Sequence, residues 1–198
     1  MKTDESGKLS LRVKALAERE AVVMRKPLPT TVLIASERIV SAYHAIGSEI
    51  DPAPLMDALA KHGAQLALPV LLDRQTMVFR AWDQSRPLVP VGFGTLGPDA
   101  DQPEVLPDLI FAPLAAFSAT GQRIGYGKGH YDRCLAKMHG LGHHPAYLGL
   151  AFDEQEVPPF EAELHDISLD GVLTPSGLRI FEHGHARLDP FLRASEQP

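Results

Sequence analysis

The sequence predicts a single α/β domain, a three-layer fold in which a mainly parallel sheet is flanked by helices. Three observations lead there. Segments of strand composition alternate with segments of helical periodicity, the pattern of a sheet whose strands are joined through helices. Leu109-Ile110-Phe111-Ala112-Pro113 is almost wholly apolar, as a strand buried on both faces should be. The 198 residues are 44% hydrophobic and 22% charged, enough to bury a core without disulfides or a structural metal. The expected domain is the whole chain, 1–198, with its core at about 8–182 and a C-terminal tail at 183–198.

Residues 8–24 carry Leu9, Leu11, Val13, Leu16, Val23 and Met24 among alternating charges, a loose amphipathic helix that Pro27 and Pro29 stop. Ile39 to Ile46 reads as a strand ended by Gly47. Asp51-Pro52-Ala53-Pro54 opens a second helix: Asp51 or a neighbour caps it, the prolines fit its first turn, and Leu55, Leu59 and Ala60 face inward as far as Gly63. Gln65 to Leu72 and Met77 to Trp82 are strands around the turn Asp73-Arg74-Gln75, and residues 83–107 are mostly loop. After the strand at 109–113, the chain passes through Thr120-Gly121-Gln122 to a glycine-rich loop, then a helix over about 130–139. Ala146 to Phe152 and Gly171 to Thr174 are the last strands. The 16 Gly and 17 Pro imply many ordered turns without low complexity.

Nineteen Lys+Arg against 25 Asp+Glu give a net charge of −6, so no general attraction to nucleic acid or an anionic membrane is expected. The lone cysteine, Cys134, cannot form an internal disulfide or a multi-thiolate zinc site, which points to a reducing, cytoplasmic compartment. The charged start of the chain (Lys2, Asp4, Glu5, Lys8, Arg12, Lys14) carries no apolar leader, and no uncharged stretch reaches the ~18 residues of a spanning helix.

The strongest local signal is Arg123-Ile124-Gly125-Tyr126-Gly127-Lys128-Gly129-His130-Tyr131-Asp132-Arg133, between a buried strand and a helix. Its alternating glycines permit positive φ and close backbone approach, so N–H groups can turn toward an anion. The helix N-terminus adds partial positive charge, and Lys128 and Arg123 add full charges. Phosphate suits such a loop; a plain strand-to-helix turn is the alternative. The pattern is neither a Walker A loop nor a dinucleotide-binding Gly-x-Gly-x-x-Gly.

Asp132, in the first helical turn, can hold Mg²⁺ beside a polyphosphate or simply stabilise the helix end. Asp166, in Leu164-His165-Asp166, is a second metal candidate, or part of a solvated turn. Glu49 and Asp51 stand at the end of the strand where open α/β sheets place ligands, though capping the helix at Pro52 would use the same residues. Trp82, Phe93 and Phe117 line a flat heterocycle or belong to the core. His143-His144 has no ligand spacing, and Cys134 reads as a packed small hydrophobe.

In order along the chain, Lys8-Leu9-Ser10-Leu11-Arg12, Ser48-Glu49-Ile50-Asp51, the glycine loop through Asp132-Arg133, and His165-Asp166 before Leu169-Asp170-Gly171-Val172 resemble the 5-formyltetrahydrofolate cyclo-ligase (methenyltetrahydrofolate synthetase) family. Weaker agreement at Leu68-Pro69-Val70, Val91-Gly92-Phe93-Gly94 and Pro107-Asp108-Leu109 through Phe117 extends the resemblance over about residues 8–174. It implies an enzyme that uses ATP and Mg²⁺ to convert 5-formyltetrahydrofolate to 5,10-methenyltetrahydrofolate, releasing ADP and phosphate. It implies ATP contacts from Lys8, Arg12, Arg123, Ile124, Gly125, Tyr126, Gly127, Lys128, Gly129, His130 and Tyr131. Folate contacts would come from Ile46, Glu49, Asp51 and Tyr126 to His130, with Arg123, Tyr126 and Lys128 catalytic and Asp132 and Asp166 holding Mg²⁺.

The expected partner is the small-molecule substrate alone, bound by a monomer. Three features depart from the family pattern: Gly97 stands where a Glu is common, His130 replaces a common Tyr, and the segment between Arg12 and Arg38 is short and interrupted by Pro27 and Pro29. Two other readings stay open. A phosphosugar isomerase-like enzyme of similar fold would consume no ATP, and a non-catalytic nucleotide- or folate-binding module would bind without turnover.

Overall fold

The structure, a computed structural model, describes residues 5–22, 26–30, 33, 35–92, 94–163 and 165–192. In chain order the elements are α1 (Glu5–Glu20), β1 (Ile39–Ser41), α2 (Ala53–Lys61), β2 (Gln65–Leu71), β3 (Met77–Ala81), β4 (Val89–Pro90), β5 (Leu96–Gly97), β6 (Glu104–Val105) and β7 (Leu109–Pro113). Then follow β8 (Ala116–Ser118), β9 (Arg123–Ile124), α3 (His130–Gly140), β10 (Ala146–Leu150), β11 (Glu156–Val157), β12 (Gly171–Thr174), β13 (Gly177–Ile180) and α4 (His185–Leu188).

An eight-stranded sheet runs in the order β13-β12-β10-β7-β1-β2-β3-β6. The pairs β12–β10, β10–β7, β7–β1 and β1–β2 are parallel, and the antiparallel strands β13, β3 and β6 extend the two edges. The mainly parallel three-layer fold is therefore present. Strand alternation divides the core between the two faces of the sheet. Leu109 and Phe111 of β7 pack with Leu55, Met56 and Leu59 of α2 on one face. Ile110 and Ala112 pack with Cys134, Leu135 and Met138 of α3 on the other. A smaller cluster seats α1, where Ala15 meets Ala115, Ala116, Ile124 and Phe160.

Several boundaries differ from the sequence reading. β1 stops at Ser41 rather than Ile46: its pairing ends at Ser41↔Ala67 on the β2 side and Ser41↔Ile110 on the β7 side, where the chain leaves the sheet. Helix α1 ends at Glu20, before Pro27, and Val23 and Met24 lie outside the described residues. The region 83–107 contains the β4–β5 hairpin and β6. Part of the expected tail is packed: Leu188 and Phe191 are buried in the α2-side core, and Leu192 bridges to Leu33. Among the described residues no helix is long and apolar enough to cross a membrane.

Candidate active site

In chain order the parallel strands lie 5-4-3-1-2, so the direction of winding reverses between β1 and β7. At such a point the loops leaving the carboxyl ends of neighbouring strands diverge and open a crevice. A cleft of about 860 Å³ lies there. Its walls are the exit of β1 (Tyr43, His44, Ile46, Glu49), Pro113 of β7, the glycine loop, Lys8 and Arg12 of α1, and Glu163, His165 and Asp166 ahead of β12. Leu71, Met77 and Leu96 give it an apolar side.

The alternating glycines have a steric reason as well as a conformational one. A Cβ on Gly125 would stand 2.8 Å from Arg123 Nη1, one on Gly127 3.0 Å from Arg12 Nη1, and one on Gly129 2.8 Å from Arg133 Nη1. Each glycine thus seats one guanidinium against the loop. Gly127 and Gly129 also hold positive φ, +81° and +61°, and Gly129 is the left-handed residue from which α3 starts. Hydrogen bonds fix the arrangement: Arg12 Nε donates to the Gly125 carbonyl (2.7 Å), and Arg133 donates to the carbonyls of Lys128 (2.7 Å) and Gln75 (3.0 Å). His130 Nε2 donates to the Arg74 carbonyl at 3.0 Å, tying the loop to the β2–β3 turn. Lys128 is exposed and lines the cleft.

Both carboxylates expected to hold a metal face protein cations. Asp132, 8% exposed, accepts from Arg123 Nη2 at 3.0 Å and from the Ile167 N–H at 3.2 Å. The Arg123 guanidinium lies 5.6 and 5.8 Å from the ring centres of Tyr131 and Tyr147, within cation–π range. Asp166 accepts from Lys8 Nζ at 2.5 Å and from the Glu163 N–H at 2.9 Å, and Lys8 also reaches Glu163 at 3.2 Å. Burial would raise the Asp166 pKa, but the hydrogen bonds from Lys8 and the Glu163 N–H, with the charge of Lys8, hold it below the usual carboxylate range.

Glu163, His165 and Asp166 offer ligand atoms within 4.8 Å of one another, and Asp132 lines the same cleft outside that group. Two carboxylates bordering a phosphate-type loop are the hard oxygen donors that Mg²⁺ takes, so the residues present fit that ion.

Glu49, 7% exposed, is the third carboxylate of the site. Its Oε1 accepts the Tyr126 hydroxyl at 2.5 Å and its Oε2 the Ile46 N–H at 2.9 Å. Burial pushes its pKa up, while the hydrogen bonds from Tyr126 and Ile46 and the charge of Arg19 pull the other way. Arg19, which the sequence reading did not single out, is 5% exposed and donates to the Tyr126 hydroxyl at 2.7 Å. A signal for it was present: Lys8, Arg12, Ala15 and Arg19 share one helical face, and Ala15 is fully buried.

The structure therefore brings Lys8, Arg12, Ile46, Glu49, Arg123, Gly125 to Asp132 and Asp166 to one cleft. Two expected contacts lie elsewhere. Asp51 is exposed and accepts the Ala53 N–H at 2.9 Å, a local turn ahead of α2, whose N-cap is Pro52. Ile124 is fully buried against Ala15 and Phe160, so its side chain serves the core. Phe117 is buried in the α3-side core, Trp82 packs half-buried against the α2-side core, and Phe93 lies outside the described residues. Cys134 is buried, and burial pushes its thiol up to about 11, which makes it a poor nucleophile. At Gly97 a Cβ would stand 3.0 Å from Val91 Cγ2 and 3.2 Å from the Pro69 carbonyl, so a side chain there would require Val91 or the Pro69 backbone to shift by a few tenths of an ångström.

Comparison with known proteins gives a consistent family. The model of the 5-formyltetrahydrofolate cyclo-ligase family matches residues 4–175. The 5-formyltetrahydrofolate cyclo-ligase of Escherichia coli K12 is 34% identical over 143 residues, covering 69% of this chain and 78% of its own. That of Mycolicibacterium smegmatis is 33% identical over 177 residues, covering 82% and 85%. Among solved structures, the 5,10-methenyltetrahydrofolate synthetase of Aquifex aeolicus superposes with a TM-score of 0.59 at 23% identity, covering 98% of this chain and 89% of its own. The corresponding Mycoplasma pneumoniae protein gives 0.60 at 18% identity, covering 84% and 97%. These two establish likeness of fold.

Proposed function

The chain belongs to the 5-formyltetrahydrofolate cyclo-ligase family, and from that premise we propose how its cleft closes 5-formyltetrahydrofolate to 5,10-methenyltetrahydrofolate, with ATP as co-substrate and ADP and phosphate as products. The observation that carries the reading is that one cleft joins a glycine loop packed under arginines to a buried carboxylate, Glu49. The first suits polyphosphate; the second suits a heterocycle that presents N–H donors.

The reaction explains why both are needed. A formamide carbonyl is a weak electrophile, and its oxygen is a poor leaving group. Attack of the formyl oxygen on the γ-phosphorus of ATP expels ADP and answers both problems. N10 then attacks the activated carbon, gives up its proton to the departing phosphate or to solvent, and the former formyl oxygen leaves within phosphate. Such chemistry asks the protein mainly for positioning and charge neutralisation.

Lys8, Arg12, Arg123 and the loop from Gly125 to Tyr131 receive the triphosphate, with Lys128 and Tyr126 beside the transferring group. Asp132 and Asp166 would hold Mg²⁺, which when bound neutralises phosphate oxygens. Lys8 and Arg123 face those carboxylates and also line the cleft, where their charges favour phosphate. Glu49 accepts from the pterin amino group, Ile46 lies against the folate, and His130 borders the formyl group. The net charge of −6 supports a protein with no nucleic-acid or anionic-membrane partner, and the single buried cysteine fits a cytoplasmic home; the acting unit in this reading is the monomer.

The test is turnover of 5-formyltetrahydrofolate by the purified protein. Methenyl product should form only with ATP and Mg²⁺ both present, with one ADP released per ring closed. ADP release independent of folate, or folate binding without product, would contradict the proposal.

A further inference from the structure

We infer that Arg19 is a positioning residue for the folate side of the reaction: through Tyr126 it fixes the carboxylate of Glu49 in the orientation and charge state that pterin recognition needs. The inference rests on the reading of Glu49 as acceptor of the pterin amino group. Arg19 itself is not among the residues that line the cleft. A guanidinium only 5% exposed must have its donors answered, and here they go to Ser48 Oγ (3.0 Å), the Leu114 carbonyl (3.4 Å) and the Tyr126 hydroxyl (2.7 Å). Ser48 immediately precedes Glu49, so the last turn of α1 grips the Glu49 segment at its backbone neighbour and through the phenol.

The direction of the hydrogen bonds is fixed. Arg19 can only donate, so the Tyr126 oxygen accepts from it, and its own proton goes to Glu49 Oε1 at 2.5 Å. A cation at one end and a carboxylate at the other polarise the phenol between them, the arrangement in which hydrogen bonds strengthen one another. The guanidinium also lies 5.7 Å from the Tyr126 ring centre, which holds the ring across the cleft while the hydroxyl is in use.

The groups facing Glu49 come from several elements: Arg19 from α1, Tyr126 from the glycine loop, and His44 from the β1 exit. Tyr43 and Tyr131 stand close enough for Glu49 to raise their phenols further, on top of the effect of their burial. The Tyr126 hydroxyl, the Ile46 N–H, Arg19 and His44 all work against the burial that favours a neutral Glu49, and Tyr126 and Arg19 are the two of these linked to each other by a hydrogen bond. A neutral Glu49 carries a proton of its own and can oppose a donor to the pterin donor.

The experiment is the pH dependence of kcat/KM for 5-formyltetrahydrofolate in wild type, Tyr126→Phe, Arg19→Gln and Arg19→Lys, with thermal midpoints alongside. Loss of one hydrogen bond to a charged group should raise the folate KM about tenfold in Tyr126→Phe and Arg19→Gln. Removing either group takes away an influence that lowers the Glu49 pKa, so the acid limb should move to higher pH. Arg19→Lys, which keeps the charge, should recover part of both effects, and the KM for ATP should stay near wild type in Arg19→Gln and Arg19→Lys, whose position lies outside the cleft lining.

Tyr126→Phe keeps every bond that Arg19 makes to Ser48 and Leu114, so it serves if Arg19→Gln folds poorly. A lowered midpoint with an unmoved acid limb in Tyr126→Phe and Arg19→Lys would reduce Arg19 to a structural residue and overturn the inference. Absence of turnover in the wild type would strike the functional reading instead.

Discussion

Gly127 shows how one residue can serve both backbone and neighbour. At φ +81° an L-side chain is strained, and a Cβ there would press on Arg12 at 3.0 Å. Gly142, at φ +77° with nothing within 4 Å of its Cβ position, carries the strain without the collision. The left-handed backbone costs a non-glycine residue about 1–2 kcal/mol, which for a chain of this size lowers the midpoint by roughly 2–8 °C. Gly127→Ala and Gly142→Ala should both show that loss in a thermal melt, but only Gly127→Ala should also weaken ATP use, through displaced Arg12. Equal ATP dependence in the two variants would mean that the guanidinium tolerates being moved. At this scale the sequence was informative about the glycines and silent about their partners. Alternating glycines announce a special loop, whereas that Arg12, Arg123 and Arg133 each fill one of the vacated places depends on α1 and the β2–β3 turn meeting the loop in three dimensions.

Among the elements, α1 shows how one helical face helps to build the site, although it ends at Glu20. Its basic face meets the cleft in order: Lys8 at Asp166, Arg12 at the Gly125 carbonyl, Arg19 at Tyr126. The early end of the helix and the prolines beyond it do not disturb this, because Ala15 already docks the helix midway. Arg12→Ala should therefore raise the ATP concentration needed for half-maximal turnover far more than that for folate. Arg12→Lys should restore only part of it, since an ammonium cannot reproduce a guanidinium's paired donors. Wild-type ATP dependence in both variants would show that α1 does not serve the nucleotide.

Long apolar or periodic segments were legible: β7, β10, α2 and α3 all fall close to where periodicity places them. Apart from β1, the strands of two or three residues were not, because β4, β5, β6, β8, β9 and β11 exist only through their partners and have no pattern of their own. Arg19 escaped notice for a related reason. A charged residue in an exposed-looking helix reads as solvated until the surface that buries it is known.

For the molecule as a whole, the reversal of winding between β1 and β7 puts the exits of two strands, one helix face and two loops around a single cleft. The alternation of strands and helices made the sheet predictable from sequence, and the family motifs indicated which segments converge. The pairing of each expected metal carboxylate with a protein cation could not be read from sequence, since Lys8 and Asp166 are 158 residues apart. The central claim is that this assembly transfers a phosphoryl group to the formyl oxygen, so that the oxygen leaves as phosphate. Turnover of 5-formyltetrahydrofolate labelled with ¹⁸O in the formyl group, followed by mass analysis of the released phosphate, tests it most directly. The account predicts one labelled oxygen in each phosphate released; label found in water, with unlabelled phosphate, would contradict it.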